Sequence, residues 1–258
     1  DAGVDMIKLI DQDQMTMEEV YAVVDEAHKH GLIVVAHGHR PEEVIRGLLA
    51  GVDNFEHTGF ATAPEYPKHV MDAIKERTAQ MNLGPLYWTP TVEGLYNYTY
   101  NRDHPEKLDN TCWHLGLEDS TIADIKASIE NPDRLPYFQI TPQRMPTLKR
   151  KIEQLREAGV VMLIGTDSGI PMKFHCQSTW NELDILVRVM GMDPMEAIKG
   201  ATYWPSVLMG VDDKVGTVSE GKLADIIAVK GDVLRYINLL SDVDIVIQNG
   251  KVVKKRYK

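Results

Sequence analysis

Four polar residues with metal-binding chemistry close or punctuate short apolar runs. They are Lys8 in Ile7-Lys8-Leu9, His37 after Val34-Val35-Ala36, His57 after Asn54-Phe55-Glu56, and Asp167 after Ile164-Gly165-Thr166. Neutral imidazoles and a carboxylate suit Zn²⁺ or a similar divalent ion. One histidine at the end of one run reads as a hydrogen-bonded core residue. Two on consecutive runs, followed by Gly-Thr-Asp-Ser-Gly on a third, read as a site.

The runs belong to a repeated unit, an amphipathic helix stopped by glycine and followed by a short buried strand. Thr16 and Glu19 have capping-box spacing. Val20, Val23, Val24 and Ala27 then form one helix face, Gly31 stops the helix, and Leu32–Ala36 follows as a continuous apolar strand. Pro41 opens the next helix, Ile45, Leu48 and Leu49 are its expected buried face, Gly51 stops it, and Val52–His57 is the next strand. Val70–Arg77 leads to Tyr87–Val92, and Leu148, Ile152 and Leu155 lead through Gly159 to Val160–Gly165. With Met6–Ile10 this gives five strands alternating with helices, an α/β chain with a parallel sheet. In parallel α/β barrels the C-terminal strand ends converge on one mouth.

The period is lost between Val92 and Thr147, a stretch expected to form a lid-like insertion. Tyr96, Tyr98 and Tyr100 within it alternate, as a strand or a packing cluster would. Beyond Gly210, Val215–Val218, Ala224–Val229 and Val243–Val253 look β-like, with Asn249-Gly250 as a hairpin turn.

The 258 residues carry a net charge of −10 and no long block of Lys or Arg. That argues against nucleic-acid and anionic-membrane partners. No apolar run reaches the ~18 residues of a membrane span. Cys112 and Cys176 have no CxxC partner, so neither a disulfide framework nor a thiolate zinc site is expected. A soluble protein is expected, cytoplasmic in preference, with export left open because the chain begins without Met.

Ile-Lys-Leu, Val-Ala-His-Gly-His, Phe-Glu-His-Thr-Gly and Ile-Gly-Thr-Asp-Ser-Gly, in this order, resemble the amidohydrolase superfamily, in particular its imidazolonepropionase-like and Xaa-Pro dipeptidase (prolidase) branch. Met192–Ile198, Ala201-Thr202 and Gly216–Ile226 resemble the last helix of that family and its return into a β-sandwich. The resemblance implies a (β/α)8 TIM-barrel type fold with strands 4–8 in this chain. Residues 1–210 would form the partial barrel, with an insertion at 93–147, and residues 211–258 a small β-sandwich appendage. It implies that CO₂ converts Lys8 to a carbamate bridging two metals, because an unmodified ammonium has no lone pair. His37 and His57 would ligate one metal. Asp167 would bind the other and move a proton from the bridging hydroxide to the leaving amine. His175, eight residues after Asp167, is a candidate substrate contact, with a solvated loop residue as the alternative. His39 is a candidate for binding substrate or supporting a ligand. Glu56 is expected on the opposite strand face from His57, and Asp11 and Asp13 are expected as loop and helix-start residues.

The His-x-His pair that the family carries on strand 1 is not found before Lys8. The expectation is therefore a hydrolase of amide or peptide C–N bonds acting on a small molecule, a dipeptide or N-acyl amino acid in preference. It would use one or two zinc ions and work as a homo-oligomer or with a missing N-terminal segment. Its rival is a catalytically incomplete barrel that binds metal or a partner without turnover.

Overall fold

The computed structural model describes residues 3–109, 112–114, 116–131, 136–170 and 173–256. Five parallel strands form one sheet in sequence order: β1 (Met6–Leu9), β2 (Ile33–His37), β3 (Asn54–Glu56), β4 (Tyr87–Thr89) and β5 (Val161–Met162). The register aligns Lys8 with Val35, Val35 with Asn54, and His37 with Glu56. The polar strand ends therefore lie along one rim.

The helices between the strands cover the sheet. Helix α1 (Met17–Lys29) begins with the expected capping box and buries Val20, Val24 and Ala27. Helix α2 (Pro41–Ala50) starts at Pro41 and ends at Gly51, whose φ of 91° only glycine adopts freely. Its buried face is the expected one only in part: Ile45 and Leu48 pack against the core, but the face is centred one residue earlier. Leu49 is 61% exposed, while Val44 is fully buried. Gly47 lies so close to Phe55 that a Cβ there would meet the ring at 2.6 Å. Helix α3 (Lys68–Thr78) buries Val70, Met71 and Ile74 before β4.

After β4 the chain makes a helical excursion. Among the described residues it runs through α4 (Glu93–Asp103), two 3₁₀ turns, α5 (Asp119–Glu130) and α6 (Pro136–Gln139), and returns in α7 (Thr141–Glu157). The alternating tyrosines lie in α4, so a strand there is corrected to a helix. Tyr98 is buried and stacks on Phe138 with ring centroids 4.2 Å apart. Trp113, Ile129 and Phe174 join them in a second apolar cluster. The helical period was hidden because α4 has polar and apolar residues on every side and buries Glu93, Asn97 and Asn101. Leu148, Ile152 and Leu155 of α7 complete the main core as expected.

Helices α8 (Ser178–Arg188), α9 (Pro194–Ala201) and α10 (Tyr203–Leu208) follow β5. A three-stranded antiparallel sheet closes the chain: β6 (Ile226–Ala228), β7 (Ile245–Gln248) and β8 (Lys251–Lys255). Asn249 and Gly250 both have positive φ, the turn geometry their sequence specifies. Val215–Val218 is not a strand, because Gly216 turns the backbone at φ 93° against Ser206. The absence of a disulfide is also corrected. Cys176 is disulfide-bonded, and among the described residues no cysteine is free. Among the described residues no helix is long and apolar enough to cross a membrane.

Candidate metal centre

Each strand end on the rim turns by its own device. Past β2, Gly38 donates its N–H to the Glu56 carbonyl at 3.0 Å. A Cβ on Gly38 would sit 2.8 Å from the Trp88 ring, so the tight approach requires glycine. Past β3, His57 takes φ 71°, a left-handed conformation costly for a non-glycine residue. Its N–H bonds the Thr89 carbonyl at 2.8 Å, and the buried Trp88 indole donates to the His57 carbonyl at 2.6 Å. Thr91 past β4 and Asp167 past β5 are also left-handed, at φ 50° and 55°.

This conformation corrects the expectation for Glu56. Alternation of faces holds only along extended backbone, and the left-handed turn at His57 ends it. Glu56 shares the face of Lys8 and His37 in the register and forms an ion pair with Lys8.

The rings of His37, His39 and His57 meet in a compact trio. His39 and His57 stack with centroids 4.7 Å apart, and His37 stands edge-on to His57 at 4.6 Å. One ligand nitrogen from each lies within 4.8 Å of the others. Burial holds all three imidazoles below their ordinary basicity. Neighbouring cations add to this, chiefly Lys8 at His37 and Arg144 at His39. His57 is pushed down to about 2 by burial, then by the other two histidines. Neutral rings keep the lone pairs a cation needs. His57 Nδ1 is 2.8 Å from the Thr91 hydroxyl and 3.8 Å from Asp167 Oδ2. Desolvation brings the Lys8 amine down to about 8, with Asp167 pulling the other way.

His37, His39, His57, Thr91 and Asp167 border a cavity of about 300 Å³, walled on its apolar side by Val92, Leu95, Leu148 and Ile170. Lys8, His37, His39, His57 and Asp167 are thus brought to one end of the sheet. His175 is not; it is exposed and does not line the cavity. Asp11 and Asp13 meet Glu43 in a carboxylate cluster. The Arg40 guanidinium already serves it, 2.6 Å from Asp13 and 3.8 Å from Asp11.

Two cations, one beside Asp167 and one on the cavity, escaped the sequence reading. Lys173 is 3% exposed, with Nζ 3.1 Å from the Thr91 carbonyl and 3.5 Å from Asp167 Oδ2. Its stem lies over Gly94, where a Cβ would be 2.6 Å away. Arg144 of α7, 7% exposed, lines the cavity and approaches the Thr58 carbonyl at 3.5 Å.

The profile of the Amidohydrolase family matches residues 3–253. Ochratoxinase from Aspergillus niger is 26% identical over 251 residues, covering 93% of this chain and 42% of that protein. Imidazolonepropionase from Shewanella oneidensis is 33% identical over 158 residues, 58% of this chain and 35% of that one. The crystal structure of a Xaa-Pro dipeptidase with methionine in its active site superposes with a TM-score of 0.70 at 27% identity. It covers 98% of this chain and 55% of the dipeptidase. The chain thus spans about half the length of the relatives it matches.

Proposed function

The chain belongs to the amidohydrolase family, and from that membership we propose that it is a metal-dependent hydrolase of amide or peptide C–N bonds, with dipeptides or N-acyl amino acids as substrates. The observation that carries this reading is the trio His37, His39 and His57, neutral and with ligand atoms within 4.8 Å, beside Asp167. Such a donor set fits Zn²⁺, one ion on the trio and a second if Lys8 becomes a carbamate. A bound divalent ion would supply Lewis acidity and an activated water.

The chain's own residues have separate tasks in this reading. The Asp167 carboxylate takes a proton from the attacking water and returns it to the departing nitrogen. Lys173 holds that carboxylate in place. Arg144 attracts the carboxylate of a dipeptide or N-acyl amino acid, and Val92, Leu95 and Leu148 exclude water from the scissile bond. The lowered basicity of Lys8 favours attack of its free amine on CO₂, provided Glu56 releases it. The five-stranded sheet would be strands 4–8 of a (β/α)8 barrel and β6–β8 part of a β-sandwich. The family's His-x-His would come from further polypeptide or from another copy of the chain.

A second reading is favoured by one observation. Among the described residues β1 and β5 are the edges of an unclosed sheet. In that reading the chain binds metal without turnover. The test is zinc content after desalting, followed by hydrolysis of Xaa-Pro dipeptides and N-acyl amino acids. At least one ion per chain with turnover abolished by Asp167→Asn supports the hydrolase. Metal retained without turnover supports the second reading, and a metal-free, inactive chain sinks both.

A further inference from the structure

Two of the three imidazoles hang from one tripeptide, His37-Gly38-His39, which begins at the last paired residue of β2. Two buried side chains from neighbouring loops hold its backbone. Gln12, fully buried in a 3₁₀ turn after β1, donates Nε2 to the His37 carbonyl at 2.7 Å and to the Glu43 carbonyl at 3.2 Å. Glu43, fully buried in the first turn of α2, accepts at Oε2 from the His39 N–H at 2.6 Å and the Arg40 N–H at 2.9 Å. The carbonyl of one histidine and the amide of the other are thus fixed from opposite sides.

We infer that Gln12 and Glu43 are positioning residues that set the spacing of His37 and His39 for a divalent cation. The inference rests on the metal reading above. Helix capping explains only part of the arrangement, because the bond to Arg40 N–H alone completes the cap. The bond to the His39 amide reaches one residue further out. A fully buried carboxylate is an expensive way to fill space, although the positive end of α2 favours it. Gln12 comes from the turn that follows the Lys8 strand, so it ties the ends of β1 and β2 together. The tripeptide has no slack, since a Cβ on Gly59 would meet the Gly38 carbonyl oxygen at 1.9 Å.

The probe is Co²⁺, titrated into the metal-free protein and followed by its visible absorption, with circular dichroism and thermal unfolding recorded in parallel. Gln12→Met keeps the volume and removes both donors. Glu43→Ala removes the acceptor, and Glu43→Gln retains an acceptor oxygen. The expected result is Co²⁺ affinity roughly tenfold to hundredfold weaker in Gln12→Met and Glu43→Ala, the range for losing a residue that orients a ligand. Their absorption bands should also be altered, and Glu43→Gln should recover most of the loss. Should Glu43→Ala fail to fold, Gln12→Met against Glu43→Gln decides the matter. Wild-type binding matched within twofold by Gln12→Met overturns the positioning role alone. A wild-type protein that takes up no Co²⁺ overturns the metal reading and this inference with it.

Discussion

The Thr91 hydroxyl occupies His57 Nδ1, which leaves Nε2 as the ring's ligand atom. Thr91→Val keeps the shape and deletes that partner. Metal affinity should fall about tenfold to hundredfold, as it does when a ligating imidazole loses its outer hydrogen bond. Equilibrium dialysis against Zn²⁺ reads this, and unchanged affinity would refute the role. The placement of Lys8, His37, His57 and Asp167 at one end of the sheet was legible in the sequence because each interrupts or ends an apolar run. Glu56 was misread because the period-2 rule fails at a residue with φ 71°. Lys173 and Arg144 were missed for a different reason. Their contacts with the Thr91 and Thr58 carbonyls bridge 82 and 86 positions, and no local pattern reports such a separation.

Between elements, Glu182 of α8 caps the start of α4, accepting from Val92 N–H at 3.0 Å and Glu93 N–H at 2.6 Å. Burial raises its carboxyl to about 7. Between about pH 4.5 and 7 the folded protein therefore holds a proton that the unfolded chain has lost. The Glu182 contribution to stability is present at the acid end of that window and falls as pH rises through it. Urea unfolding of Glu182→Gln should lose that slope; a variant with the wild-type pH profile would contradict the assignment. Gly47 supplies a second test. Alanine in mid-helix gains about 1 kcal/mol in propensity, but forcing a methyl onto Phe55 costs about 1–3 kcal/mol. Gly47→Ala should lower the melting temperature, and a rise would mean the ring moves freely. The glycine stops, the capping box and Pro41 made the βα units readable. Helix α4 was unreadable because Tyr98 and Asn101 are buried on a helix with no clean apolar face.

For the whole molecule, the parallel sheet followed from the alternation of apolar runs and helices, and the sequential order of β1 to β5 from the family resemblance. The disulfide did not, because it depends on how the helical excursion folds back toward the loop after β5. The two cysteines should give no reaction with a thiol reagent in guanidinium until a reductant is added. Thiols that react without reductant would contradict the bond. The sequential strand order has a consequence for how the protein is made. Each strand after β1 pairs first with the one synthesised just before it, and none has to be inserted between two already in place. At roughly 5–20 residues per second of synthesis, each βα unit can dock on its predecessor while the next is still being translated. The pause falls at the helical excursion, where Trp88 and the β4 edge wait for β5 through more than seventy further residues. Ribosome-bound chains ending before α7 should therefore be the ones that chaperones hold longest.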